Sequence, residues 1–224
     1  MKRDPKLVEK EVHEMEKIKK SIDKINANID QSKKALEKHT KLIPVSEELD
    51  FRIVPGKNKN SSVTNLSPNY SKKTRQKKDI KLVVIHYTGM QSEIESIKRL
   101  KNPIYKVSCH YLINRGGKII RMVKDHHVAW HAGKSRWKSF VNLNKKSLGI
   151  ELVNRGHKFG YQNFSTKQIN SLIKLCKILK KKYQIKKENF LGHSDIAPLR
   201  KSDPGEKFPW KKLSNYSIGK WYKN

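Results

Sequence analysis

Lys81-Leu-Val-Val-Ile-His86 is a short β-branched run, and it reads as a buried strand. Downstream of it, Glu93 to Leu100 reads as a short helix. Ser108-Cys-His-Tyr-Leu-Ile113, Asn114-Arg-Gly-Gly117 and Lys118-Ile-Ile-Arg-Met-Val123 read as a β-hairpin closed by a Gly-Gly turn. Leu148-Gly-Ile-Glu-Leu-Val153 reads as a further strand. Thr166 to Tyr183 has the helical period, with Thr166 as its cap and Ile169, Leu172, Ile173, Cys176 and Leu179 on one apolar face. Asn189-Phe-Leu-Gly192 is a last short strand, followed by a loop rich in proline and charge and a short helix near Trp210. Strands and helices in this order give an α/β domain over residues 80–224, with a central mixed β-sheet flanked by helices.

Upstream of the first strand the pattern changes. Residues 46–79 become rich in Lys, Asn, Ser and Gly, with Pro55 and Pro68, and read as a linker or a loop hugging the domain surface. Residues 1–45 are expected to form a unit of their own, a long N-terminal helix over 6–43. Val8, Met15, Ile22, Ile29, Leu36 and Ile43 recur every seven positions, and Ile18 and Ile25 fill the intermediate row that Ser32 and His39 weaken. Such coiled-coil-like heptads fit an amphipathic helix lying on its own domain. They fit better a coiled coil that makes a homo-oligomer or docks a partner.

Composition bounds what the chain can be. It has 224 residues, 51 Lys and Arg against 20 Asp and Glu, a formal net charge of +31 and 35% hydrophobic residues. That is room for one to two domains with a modest core. No run of 18 apolar residues exists, which excludes a transmembrane helix. Met1-Lys-Arg-Asp-Pro5 has no apolar stretch behind it, so a standard secretory signal is not expected in this chain. The expected compartment is the cytoplasm, with the periplasm or cell envelope as the alternative. Cys109 and Cys176 are too few for a disulfide framework or a cysteine metal cluster, and read as two reduced, partly buried thiols.

The charge is uneven. Residues 1–50 carry 12 basic and 11 acidic side chains, so nearly all of the excess lies in residues 51–224. A coding bias towards Lys, Asn and Ile is one reading of that excess. Attraction to a polyanion is the other: nucleic acid, anionic lipid or an acidic envelope polymer. No nucleic-acid reader motif is present and the basic residues are scattered, so specific nucleic-acid binding is not expected. The scarcity of acids is informative in itself, because an acid among apolar residues in such a chain needs a reason.

Three segments carry candidate chemistry. His86 ends the first strand, His193 follows the last one within Gly192-His-Ser-Asp-Ile-Ala-Pro198, and Asp203 lies ten residues on. Two histidines and a carboxylate with a water make an open catalytic zinc site, and strand ends hold side chains rigidly. Taken singly, each histidine is more often structural. Glu151 sits between Ile150 and Leu152, so strand alternation puts it on the opposite face. It is either a solvent-facing acid or a general base whose pKa is raised by partial burial. Lys201, two residues before Asp203, would point the same way and could stabilise a developing oxyanion.

Together these segments resemble the zinc-dependent N-acetylmuramoyl-L-alanine amidases of the type-2 family, which share a fold with peptidoglycan recognition proteins. The carrying motifs are Val84-Ile-His-Tyr-Thr-Gly89, Val107-Ser-Cys-His-Tyr-Leu-Ile113, Ala129-Trp-His-Ala-Gly133, Ser147-Leu-Gly-Ile-Glu-Leu152, Gly192-His-Ser-Asp-Ile-Ala-Pro198 and Arg200-Lys-Ser-Asp-Pro-Gly205. They stand in the family's order over residues 68–215. The resemblance implies zinc ligands at His86, His193 and Asp203, a water-activating acid at Glu151 and an oxyanion-stabilising lysine at Lys201. It places Trp130, His131 and Asn144 in segments lining the substrate groove. The implied reaction is hydrolysis of the amide joining the lactyl group of N-acetylmuramic acid to L-alanine, in peptidoglycan or muropeptides. A non-catalytic peptidoglycan-binding module is the alternative. Relatives often carry an arginine where Asn142 stands and an acid where Lys145 stands, which bears on peptide contacts and leaves the metal site untouched.

Overall fold

The computed structural model describes residues 15–31 apart from 18, 25 and 29, then 63–64 and 66–220. The chain divides into two units, residues 1–50 and 51–224. In the first, the described residues are helical and exposed, Met15 and Ile22 of the heptad stripe among them. Val8, Ile18, Ile25, Ile29, Leu36 and Ile43 lie outside the described residues.

The second unit is built on a six-stranded sheet. Its strands are β1 (Val63–Thr64), β3 (Leu82–Tyr87), β4 (Tyr111–Ile113), β5 (Ile119–Arg121), β9 (Ser147–Leu152) and β10 (Phe190–Gly192), in the order β1-β5-β4-β9-β3-β10. β4 and β5 form the expected antiparallel hairpin, and the other neighbours run parallel. Two further pairs stand apart: β2 (Tyr70–Ser71) with β6 (Val128–Ala129), and β7 (Arg136–Trp137) with β8 (Phe140–Val141). The helices are α1 (Glu93–Lys101), α2 (Thr166–Tyr183), α3 (His193–Ile196) and α4 (Trp210–Ser214). No helix among the described residues is long and apolar enough to cross a membrane.

Strand alternation explains the two faces. Val83, Ile85, Ile150 and Leu152 point to one side and bury against Ile169, Leu172, Cys176 and Leu179 of α2. Leu82 and Val84 point to the other and pack with Ala132, Leu143, Leu191 and Ile196. His86 continues the second row, and Glu151 lies on that same face because Ile150 and Leu152 face α2. The cap of α2 is Ser165, whose side chain accepts from the Gln168 amide, and not Thr166, which is the first helical residue. Gln168 then donates to the carbonyls of Ile113 and Val153, tying the helix to the ends of β4 and β9.

The segment expected as linker or surface loop over 46–79 is integral to the domain from β1 onward. Ser67 and Asn69 are buried. The Asn69 amide donates to the carbonyls of Leu100, Asn102 and Val107, and Arg75 donates to those of Asp125, Asn144 and Ser147. This is polar chain held by side-chain-to-backbone bonds, which leaves no apolar period to read.

Asp125 locks the far end of α2 to the hairpin. It is 6% exposed and accepts from Tyr111 Oη (2.6 Å), Arg121 Nη1 (2.9 Å), Tyr183 Oη (2.5 Å) and Lys182 Nζ (2.9 Å). Burial alone would raise its pKa. The two phenol hydrogen bonds and the cations outweigh that and hold the carboxyl well below the usual range. A folded-state pKa below the unfolded one gives stability that is present above about pH 4 and lost as pH falls further. Asp125→Asn leaves donors facing an amide and is expected to cost about 2–3 kcal/mol at pH 7. Urea unfolding should show that gap, and should show it narrowing at pH 3.

Candidate metal centre and catalytic pocket

The parallel register brings the chemistry to one edge of the sheet. His86 of β3 lies directly beside Glu151 of β9, and β10 ends at Gly192 so that His193 follows the strand next to β3. Asp203 returns to this edge through the Asp203 carbonyl, which accepts from the Ser194 amide (2.8 Å). Three ligand atoms converge. His86 Nδ1 lies 2.9 Å from Asp203 Oδ2 and 3.0 Å from His193 Nδ1, and His193 Nδ1 lies 3.1 Å from Asp203 Oδ2. All three residues are buried, and among the described residues they are the group of side chains placed to hold a metal ion.

The hydrogen-bond partners of the trio suit it to a cation. His193 Nε2 lies 3.1 Å from the Ala132 carbonyl, which can only accept, so that nitrogen carries the proton and a neutral His193 presents a lone pair at Nδ1. Burial pushes the pKa of His86 down to about 4, against the pull of Asp203, and so keeps it neutral. Asp203 is desolvated too, but its close contacts with the two histidines hold its carboxyl well below the usual range. Two imidazole nitrogens and one carboxylate oxygen therefore aim at a common point. Donor atoms on a tetrahedral metal with bonds of about 2.0–2.1 Å stand about 3.3 Å apart, so edges of this size need open only slightly.

The cluster forms the floor of a pocket of about 390 Å³, walled by Tyr87, Trp130, Glu151 and Lys201 and rimmed by Arg99 and Arg200. Glu151 is the anomaly in it. Its Oε2 is sealed from solvent and has no hydrogen-bond partner. Desolvation, reinforced by the charge of Asp203, raises its pKa to about 8, and Lys201 works in the opposite direction. A carboxyl oxygen sealed from water without a partner is costly, so its environment fits a proton carrier better than a packing residue.

The structure thus brings together His86, His193, Asp203, Glu151, Lys201, Trp130 and His131. Asn144 is a correction: it does not line the pocket. Its Oδ1 accepts from the amides of His131 (3.0 Å) and Ala132 (2.7 Å), so it braces the loop beneath the wall. His131 reaches the pocket only as a ring wedged between His86 and Ser147. Tyr87, Arg99 and Arg200 went unread as pocket residues. Arg99 lies 4.4 Å over the Tyr105 ring, and Arg200 donates to the carbonyls of Ala132 and Lys134. Nothing in a basic chain distinguishes Arg99 from the other arginines. Tyr87 and Arg200 carry a signal, as the motif neighbours of His86 and Lys201.

Residues 76–206 match the family model described as N-acetylmuramoyl-L-alanine amidase, and the chain belongs to that family. Among particular relatives, it is 41% identical over 154 residues to the N-acetylmuramoyl-L-alanine amidase AmiD of Escherichia coli, covering 63% of this chain and 55% of the relative. It is 34% identical over 164 residues to the 1,6-anhydro-N-acetylmuramyl-L-alanine amidase AmpD of Haemophilus influenzae, covering 65% and 86%. Among solved structures, the complex of E. coli AmiD with anhydro-N-acetylmuramic acid-L-Ala-D-gamma-Glu-L-Lys superposes with a TM-score of 0.59 at 38% identity, covering 67% of this chain and 62% of that one. The chain thus spans about half the length of the AmiD relative.

Proposed function

We propose that this chain is a zinc-dependent amidase that hydrolyses the bond between the lactyl group of N-acetylmuramic acid and L-alanine in peptidoglycan or its muropeptide fragments. The observation that carries this reading is Glu151: a half-buried side chain whose Oε2 is sealed from solvent and unpartnered, in register with His86, at the edge of the His86–His193–Asp203 cluster. Family membership and the muropeptide bound to the related AmiD structure support it. A binding module without turnover would lack a ligand or the acid, and all of these positions are filled.

His86, His193 and Asp203 would hold the zinc, which when bound supplies Lewis acidity and brings the pKa of a water towards 7. The protein's own groups do the rest. Glu151 accepts the proton of the attacking water at its carboxylate and delivers it to the departing L-alanine nitrogen. One water is consumed, a carbon–oxygen bond forms at the lactyl carbonyl and the carbon–nitrogen bond breaks. Lys201 sets its ammonium beside the carbonyl oxygen as negative charge builds there. Trp130 is held by Nε1 donating to Ser71 Oγ (3.2 Å) and gives the substrate a fixed wall. Arg99 and Arg200 put positive charge at the rim, matching the free carboxylates of a stem peptide.

The test is digestion of anhydro-muropeptides and of cross-linked wall side by side, with products identified by mass spectrometry. Release of peptide bearing a free L-alanine amine from either substrate supports the proposal, and its absence from both removes it. We further propose that residues 6–43 self-associate or dock a partner. Sedimentation showing a monomer both with and without residues 1–45 would remove self-association.

A further inference from the structure

His131 makes a chain of contacts that the proposed reaction does not call for. Its Nδ1 lies 3.1 Å from His86 Nε2, and its Nε2 lies 3.2 Å from Ser147 Oγ. Ser147 Oγ in turn lies 2.6 Å from the Leu143 carbonyl. Every proton in this chain is dictated from its outer end. The Leu143 carbonyl can only accept, so the Ser147 hydroxyl proton points at it. Ser147 Oγ must then accept from His131 Nε2–H. A neutral His131 with its proton on Nε2 offers a lone pair at Nδ1, which accepts from His86 Nε2–H. His86 is left with a lone pair at Nδ1, the atom that faces His193 Nδ1 and Asp203 Oδ2.

A second observation concerns space. A Cβ on Gly149 would lie 2.4 Å from His131 Cγ, so the His131 ring rests directly on the backbone of β9. Glycine weakens a strand interior, and here the close approach of the ring explains it. A third concerns the loop. Asn144 Oδ1 fixes the amides of His131 and Ala132, and the Ala132 carbonyl takes the Nε2–H of His193. One short stretch of chain therefore addresses the outer nitrogen of both histidines.

We infer that His131 is a positioning residue of the metal centre: with Ser147 and the Ala132 carbonyl it sets the tautomer and aim of His86 and His193, and Gly149 is there to seat it. This rests on the proposed zinc site and assigns His131 to the ligands, not to the substrate groove. Loss of such an outer partner typically lowers metal affinity about 10–100-fold.

The test uses the full chain and three substitutions. His131→Phe keeps a ring and removes both nitrogens. His131→Asn keeps an acceptor near the position of Nδ1. Gly149→Ala displaces the ring without touching a site nitrogen. Zinc affinity is read by competition with a chromogenic chelator, and the His86 tautomer by long-range proton–nitrogen NMR of the zinc-free protein. Expected is a 10–100-fold loss of affinity in His131→Phe and Gly149→Ala. His131→Asn should stay within a few fold of wild type, and His86 should hold a single Nε2–H form in wild type and Asn only. Wild-type affinity and an unchanged His86 tautomer in His131→Phe would overturn the inference. Should Gly149→Ala fail to fold, the two His131 variants decide. A wild-type chain that binds no zinc would instead overturn the zinc site itself.

Discussion

In the Glu151→Gln variant, bound zinc is expected to stay at the wild-type level while kcat falls about 10²–10⁴-fold. Glutamine matches glutamate in size, so the pocket wall keeps its shape and KM should change little. What is lost is a group that can take and return a proton. The same substitution should not destabilise the fold. Glu151 Oε2 has no hydrogen-bond partner to lose, and its carboxyl bears a desolvation cost that raises its pKa to about 8. An amide there is as easily or more easily buried than a carboxylate. Loss of turnover with unchanged or higher thermal stability separates a chemical role from a packing one. Turnover like the wild type's on a muramoyl tripeptide would remove Glu151 from the mechanism.

The Asp203→Ala variant is expected to lose both metal and turnover. Asp203 Oδ2 closes the triangle with the two Nδ1 atoms and is the only carboxylate in it. Without it, two imidazoles remain, with no negative charge to offset the ion. The loss of affinity should exceed the roughly 10–100-fold that removal of an outer partner costs, because a direct ligand goes. Zinc content after dialysis should fall far below one per chain, and added zinc should not restore the wild-type rate. The contrast with Glu151→Gln is the informative part: one variant keeps the ion and loses the reaction, the other loses both. Full zinc occupancy in Asp203→Ala would show that the ligand set is different.

Much of this was legible before any coordinates, and the reasons are physical. Leu82–Ile85 is buried on both faces, so its apolar run is continuous, and Ser147–Leu152 is buried except at Glu151. Thr166–Tyr183 buries one face only, so it shows the helical period. Strands of two residues, such as Tyr70–Ser71 and Phe140–Val141, carry no period at all. The segment around Ser67, Asn69 and Arg75 is fixed by side-chain-to-carbonyl bonds, which look like loop composition. In the site, His86, Glu151 and His193 sit at strand ends that the sequence marks clearly. Asn144 reads as a groove residue because a motif shows that residues matter and not which way they face, whereas His131 does reach the pocket. The charge of +31 also gained a sharper meaning. Among the described residues most lysines are exposed, while the scarce acids Asp203 and Asp125 are buried and Glu151 is half-buried at the pocket.

The most direct measurement follows the oxygen. The zinc-loaded chain is incubated with a muramoyl tripeptide in water enriched in oxygen-18, and the products are resolved by mass spectrometry. The expected result is one labelled oxygen in the lactyl carboxylate of the muramoyl product and an unlabelled peptide with a free L-alanine amine. Chelation should stop the reaction and returned zinc should restart it. Label in the released peptide, a cut elsewhere in the sugar or the stem, or turnover unaffected by chelation would contradict a zinc-dependent muramoyl-alanine amidase.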